Sequence, residues 1–248
     1  MADRTEGKSM SAEKTGNEKV LVGGIMNCDR NFQMPQFLKS VKGLSYKNKK
    51  IVCIDNGSIT DFQRFYRHIE GIQFEKAESK SNEREAIVAT REHLRKKAID
   101  EGYDWLLIVD QSLVLPENFI ERAVATGRKI VSGLYFETAS VTQNNSKSIT
   151  YLPNVFSFSG NDGKNVNVAR LSFNDVLPSR VFDVDMAELK IIMIHKSILG
   201  KIGFVYKDNP LYDDIHFAMQ CRTIQQKIAV DSSIACRNNR TIVLDAFS

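Results

Sequence analysis

Short runs of consecutive apolar residues alternate along this chain with segments of helical spacing, and polar turns separate them. The first run, Lys19 to Ile25, reads as a short buried strand at which order begins. Pro35 to Val41 follows, with Phe37, Leu38 and Val41 on one helical face. A second strand, Lys50 to Ile54, ends in Asp55-Asn56-Gly57-Ser58, a strong turn signal. Thr60 to Gln63 has capping-box spacing and predicts a helix to about Glu70. A weakly marked strand, Ile72 to Glu75, precedes a long helix capped by Asn82, with Glu85 three residues on, and closed by Gly102. Trp105 to Val109 is apolar throughout, the pattern of a central strand covered on both faces. Pro116 and Glu117 open another helix, Gly127 closes it, and Lys129 to Ser132 is again strand-like.

Strands alternating with helices over residues 19–135 predict an α/β fold with a mostly parallel central sheet and helices on both faces. The second half changes character. Residues 138–175 are polar and turn-rich, with Asn161-Asp162-Gly163 as a hairpin turn. A strand at Leu189 to Ile194, a short helix from Lys196 and a helix from near Asp213 follow. Residues 1–18 lack a periodic apolar pattern and are expected to form a disordered tail, leaving 19–248 as one domain.

Composition narrows the class. Of the 248 residues, 42% are hydrophobic and 26% charged, the profile of a globular protein. The apolar runs are far shorter than the roughly 20 residues a bilayer span needs. No apolar segment follows the N-terminus, so no secretory signal is expected. Cys28, Cys53, Cys221 and Cys236 are widely spread without a Cys-x-x-Cys pair, which favours reduced thiols and a cytoplasmic location. A net charge of +4 is scattered, with no basic run interleaved with aromatics, so nucleic acid is not an expected partner. The mild positive bias suits an anionic ligand or peripheral membrane contact, and solubility alone accounts for it equally.

Candidate chemistry lies at strand ends, where open α/β sheets bind ligands. Three polar clusters fall there: Asn27-Cys28-Asp29, Asp55-Asn56-Gly57-Ser58 and Asp110-Gln111-Ser112. Each also has the composition of an ordinary turn. Together with the element order they resemble the GT-A class of nucleotide-sugar glycosyltransferases, in particular its family-2-like branch, over about residues 19–240. The resemblance implies a nucleotide-binding half, 19–135, and an acceptor-side half, 136–248. It matches Asn27 to the loop against the nucleotide and Asp55 to the carboxylate that bonds the base. Arg91, within Ala89-Thr90-Arg91-Glu92, is matched to a residue reaching the nucleotide. Tyr103 to Asp110 is similar to the strand leading into the family's Asp-x-Asp motif, and Val131 to Tyr135 to the strand and glycine after it. Asp213 and Asp214 are similar to the acidic pair that opens the acceptor-side helix. By position Asp214 is then the catalytic base of an inverting enzyme. Without the resemblance, both carboxylates serve equally as favourable charges at a helix N-terminus.

Three positions depart from the pattern. Ser112 stands where the second carboxylate of Asp-x-Asp is expected, and Asn238 where relatives place a metal-binding His. The resemblance implies a Mn2+ or Mg2+ held through Asp110, and the two replacements imply that its binding is weakened or lost. Lys190 occupies a place where relatives tend to have a glycine facing the substrates. Lys190 or Arg237 is therefore a candidate source of the missing positive charge. His68, His93, His195 and His216 show no ligand spacing, and neither a Gly-x-Ser-x-Gly elbow nor a phosphate-loop lysine is present. Gly23-Gly24 lies inside a strand, which disfavours a nucleotidyltransferase phosphate loop. The expectation is an inverting glycosyltransferase that binds a nucleoside-diphosphate sugar against Asn27, Asp55, Arg91, Asp110, Ser112 and Lys190. Acceptor contacts are expected within Thr138 to Asp175, the acceptor being a glycan, lipid or protein. The alternative is a non-catalytic relative that binds a nucleotide sugar or a protein partner.

Overall fold

The computed structural model describes residues 17–57, 66, 68–78, 80–143, 146–161, 166–177, 179–206 and 213–238. The first half runs β1 (Val20–Met26), a 3-10 segment (Cys28–Gln33), α1 (Met34–Lys42), β2 (Lys49–Asp55), β3 (Gln73–Lys76) and α2 (Glu83–Asp100), then β4 (Trp105–Asp110), β5 (Leu113–Val114), α3 (Phe119–Ala125) and β6 (Ile130–Leu134). The second half contains β7 (Phe136–Gln143), β8 (Ser146–Pro153), β9 (Val155–Asn161), β10 (Val166–Arg170), α4 (Phe173–Val176), β11 (Val181–Val184) and β12 (Met186–Ala187). It closes with β13 (Ile191–His195), α5 (Lys196–Leu199), α6 (Asp213–Thr223), β14 (Ile228–Ala235) and β15 (Arg237–Asn238).

Eight strands form the central sheet in the order β11-β14-β6-β13-β4-β1-β2-β3. β1 pairs in parallel with β2 and β4, β2 with β3, and β6 with β14, whereas β13 and β11 run antiparallel to their neighbours. The chain leaves β1 toward β2 and β3, then returns to place β4 on the opposite side of β1. That reversal leaves a crevice beyond the carboxyl ends of β1 and β4, where open sheets bind ligands.

Period-two alternation sends the side chains of each strand to two separate cores. Trp105, Leu107 and Val109 of β4 join Phe37 and Val41 of α1 and Phe119 and Ile120 of α3 on one face. Leu106 and Ile108 join Val88 and Leu94 of α2, Leu199 of α5 and Phe217 of α6 on the other. The unbroken apolar run at 105–109 is thus a central strand, as its pattern predicts. Gly23 and Gly24 let helices approach this sheet. A Cβ on Gly23 would lie 2.6 Å from Leu94 Cδ1, and one on Gly24 2.7 Å from Cys53 Sγ and 2.8 Å from Phe37 Cζ. The pair packs helices and is no phosphate loop. Gly24→Ala is expected to cost about 1–3 kcal/mol by overpacking; urea denaturation checks this, and an unchanged midpoint contradicts it.

Most predicted elements appear with shifts of one or two residues. Asn82 caps α2 by accepting from the Glu85 amide at 2.9 Å, and Gly102 and Gly127 close their helices with positive φ. The expected helix from Thr60 lies almost wholly outside the described residues. At the N-terminus, described residues begin at 17, inside the expected tail. Glu18 accepts from Trp105 Nε1 at 2.8 Å, and its carbonyl accepts from Tyr46 Oη at 2.9 Å.

The polar stretch after residue 135 differs from its reading as turn-rich. β7 and β8 pair antiparallel along their length, Phe136 opposite Pro153 and Gln143 opposite Ser146. Thr and Val recur through it beside Ile149 and Tyr151, residues that suit a pleated ribbon even where few are apolar. β9 and β10 also pair antiparallel, Val166 opposite Asn161, and the turn predicted at Asn161-Asp162-Gly163 lies mostly outside the described residues. No helix among the described residues is long and apolar enough to cross a membrane, and the four cysteines are buried and free.

Candidate functional site

A cleft of about 360 Å3 opens at the β1–β4 switch point, lined among others by Asn27, Arg91, Asp110, Lys190, Asp213 and Asp214. Six of the eight site residues predicted from sequence therefore meet in one place. Asp55 and Ser112 do not line it.

The wall beneath Asn27 is cross-braced. Gln111, the middle residue of the altered triplet, is buried and adds one rung beyond the β1–β4 ladder with its carboxamide. Its Oε1 accepts from the Asn27 amide at 2.7 Å, and its Nε2 donates to the Asn27 carbonyl at 3.2 Å. Asn27 Oδ1 in turn accepts from the Asp29 amide at 2.9 Å. Asp55, expected to meet a base, is fully buried and braces the same loop. It accepts from the Cys28 amide at 2.8 Å, the Gly57 amide at 3.2 Å and Lys76 Nζ at 2.6 Å. Gly57 is needed here, since a Cβ would come within 2.7 Å of Asn27 Oδ1. In this structure Asp55 holds the wall in shape rather than facing the cleft.

The opposite wall carries the acidic pair at the start of α6. Asp213 is ion-paired with Arg91, which also donates through Nη2 to the Leu189 carbonyl at 3.0 Å. The amide of that same Leu189 donates to Asp214 Oδ1 at 3.1 Å. A single residue ahead of β13, Leu189, thus joins α2 to α6 through Arg91 and Asp214. Burial pushes the Asp214 carboxyl up to about 6, with Arg91 pulling it down and Asp213 and Glu188 pushing it further up. A carboxylate in that range is ionised at neutral pH and still basic enough to accept a proton.

Lys190 does reach the cleft, but its ammonium is engaged: it is ion-paired with Glu137 at the root of the β7–β8 ribbon and lies 3.6 Å from Glu188. Glu188 also accepts from Arg170 Nη2 at 3.0 Å and from the Tyr135 hydroxyl. Arg237, the other candidate cation, does not line the cleft: it donates to Gln36 Oε1 at 2.6 Å beside α1. That bond holds it beside α1, apart from the residues that line the cleft.

Several cleft residues escaped the sequence reading. Arg84 and Ile87 precede the predicted Arg91 at helical spacing on one face of α2, and all three line the cleft. That spacing was legible; what it faced was not. Arg30, next to the first polar cluster, lines the cleft too and is bonded to Glu83 at 2.7 Å.

A divalent cation of the Asp-x-Asp kind needs hard oxygen donors converging on one point. Asp110 Oδ1 instead accepts from the Ser112 amide at 2.9 Å and the Ser112 hydroxyl at 2.6 Å. Ser112 is fully buried and does not line the cleft. Asn238 lies opposite Leu113, so the two altered positions are spatial neighbours, and it too is buried. Among the described residues, no three His, Cys, Asp or Glu are grouped to hold a metal. The donor set present does not fit a Mn2+ or Mg2+ of that kind.

No protein-family model matches this sequence, and no curated protein matches it. Similarity appears in structure. GalNAc-T7, solved with UDP, GalNAc and Mn2+, aligns over 90% of this chain with a TM-score of 0.63 and 11% identity. The mannosyltransferase PcManGT from Pyrobaculum calidifontis, solved with GDP-Man and Mn2+, aligns over 90% with a TM-score of 0.56 and 11% identity. This chain spans 44% and 57% of the lengths of those two chains. The fold is that of the GT-A glycosyltransferases, as the element order predicts.

Proposed function

We propose that this protein is a glycosyltransferase that moves a sugar from a nucleoside-diphosphate sugar to an acceptor hydroxyl with inversion. The observation that carries the reading is the meeting of Asp214, Asp110 and Asn27 in one cleft at the sheet's switch point. The two structural neighbours, solved with UDP or GDP-Man, support a donor of that chemical class. A cleft of about 360 Å3 falls within the range of small-molecule sites, roughly 300–1,000 Å3.

In this reading the nucleotide lies along the braced wall of Asn27 and Gln111. Asp214 takes the proton of the acceptor hydroxyl as its oxygen bonds to the anomeric carbon. The bond from that carbon to the diphosphate breaks on the opposite side, and the diphosphate leaves with the electron pair. Arg91 and the Leu189 amide hold Asp214 in place. The β7–β8 ribbon, rooted at Glu137, is the natural site for acceptor contacts.

A second reading, a binder without turnover, draws support from the buried Ser112 and Asn238. Thermal shift across UDP- and GDP-sugars selects the donor class, and mass detection of released nucleoside diphosphate tests turnover. A stabilising nucleotide sugar with steady release supports the transferase. Stabilisation without release favours the binder, and no stabilisation by any donor removes the transferase and the nucleotide-sugar binder, leaving only a binder of a protein partner.

A further inference from the structure

A nucleotide sugar brings a diphosphate whose charge must be met as it leaves, and the residues at the expected metal position do not supply a cation site. The same cleft carries four cationic side chains, Arg30, Arg84, Arg91 and Lys190. We infer that the diphosphate is held by side-chain cations in place of a divalent metal, with Arg30 and Arg84 as the receiving pair and Lys190 as the third charge. The inference rests on the donor class proposed above and assigns the groups that hold it.

Arg91 is excluded from this role. Its side chain is only 8% exposed and is committed to Asp213 and the Leu189 carbonyl. The other three are more exposed, at 39% for Arg30, 34% for Arg84 and 21% for Lys190. Arg30 is paired with Glu83, and Glu83 and Arg84 line the cleft with it. Both side chains of the Arg30–Glu83 pair are well exposed, at 39% and 48%. An ion pair so solvated contributes little, and a diphosphate can replace the carboxylate at small cost. Arg84 Nε lies 3.8 Å from Asp213 Oδ1 and its guanidinium stands 5.9 Å from the centre of the Tyr206 ring, longer contacts than the hydrogen bond that fixes Arg91 to Leu189. Lys190 shares its ammonium between Glu137 and Glu188, and Glu188 keeps Arg170 and Tyr135 when Lys190 turns away. Arginine forks match paired phosphate oxygens, and lysine adds a point charge beside them.

Calorimetric titration with UDP, GDP, inorganic pyrophosphate and the free nucleosides, in excess EDTA and again in Mn2+, tests the assignment. The wild type is expected to bind one nucleoside diphosphate with dissociation constants within about threefold in the two buffers. Arg30→Gln, Arg84→Gln and Lys190→Met are each expected to weaken that binding about tenfold or more while leaving the free nucleoside unaffected. Arg30→Gln alters only an exposed pair, so it decides the matter if either other variant fails to fold. Binding that appears only with Mn2+ overturns the inference and leaves the glycosyltransferase reading intact. Binding in EDTA that Arg30→Gln and Arg84→Gln leave unchanged also overturns it. Silence toward every probe in both buffers removes that reading, and the inference with it.

Discussion

Replacing Asp214 by Asn is expected to lower turnover by about 10²- to 10⁴-fold, the range typical of a lost general base. Asn keeps the shape and its Oδ1 still accepts from the Leu189 amide, so donor binding is expected to stay within a few-fold. The wild-type rate should carry the carboxylate's signature. With Asp214 pushed up to about 6 by burial, kcat/KM is expected to fall tenfold per pH unit below that value and level off above it. The same shift sets the sign of a stability effect. The native state holds the proton more tightly than the unfolded chain between about pH 4 and 6, so wild-type stability falls as pH rises through that window. The Asn variant lacks this fall and is expected to be more stable at neutral pH by up to about 3 kcal/mol. Denaturation at pH 4 and pH 7.5 checks both halves: a gap that does not widen with pH contradicts the environment described for Asp214.

Arg91→Ala is expected to act in the opposite direction. Arg91 is buried among Asp213, Asp214 and the Leu189 carbonyl, and removing one partner of a buried pair typically costs about 3–5 kcal/mol. The loss should fall on the link between α2 and α6. Arg91 also lowers the Asp214 pKa, so in any variant that still folds the acid limb of the pH profile moves upward. Urea denaturation and the pH profile together test this. A loss below about 1 kcal/mol would show that the pair is far more solvated than its 8% and 14% side-chain exposures indicate.

Much of this was legible in the sequence because the strongest signals are periodic. The continuous run at 105–109, the Asn82 cap and the closing glycines each express one local rule, and each sits where that rule places it. The crevice follows from element order, since strands alternating with helices bring polar strand ends to one edge. Side-chain commitment was not legible. Asp55 and Ser112 have the residue types of ligand contacts, yet both are buried: Asp55 holds the Cys28 and Gly57 amides, and the Ser112 hydroxyl donates to Asp110. Whether a carboxylate at a strand end faces a cleft or braces a loop depends on partners far away in sequence, such as Lys76 for Asp55. Arg237 lies off the cleft for a similar reason: it bonds Gln36 of α1, a partner far away in sequence. The β7–β8 ribbon was missed because its strands lack a clean apolar face, although Thr, Val, Ile and Tyr favour extended backbone.

The central claim is that the β1–β4 crevice receives the nucleotide sugar. Hydrogen exchange with and without the stabilising donor tests it most directly, because the wall amides are individually placed. The account predicts slowed exchange confined to residues 25–30, 110–112 and 188–190, where the Asn27, Cys28 and Leu189 amides are bonded within the cleft's two walls. Protection elsewhere with none at these segments would contradict it.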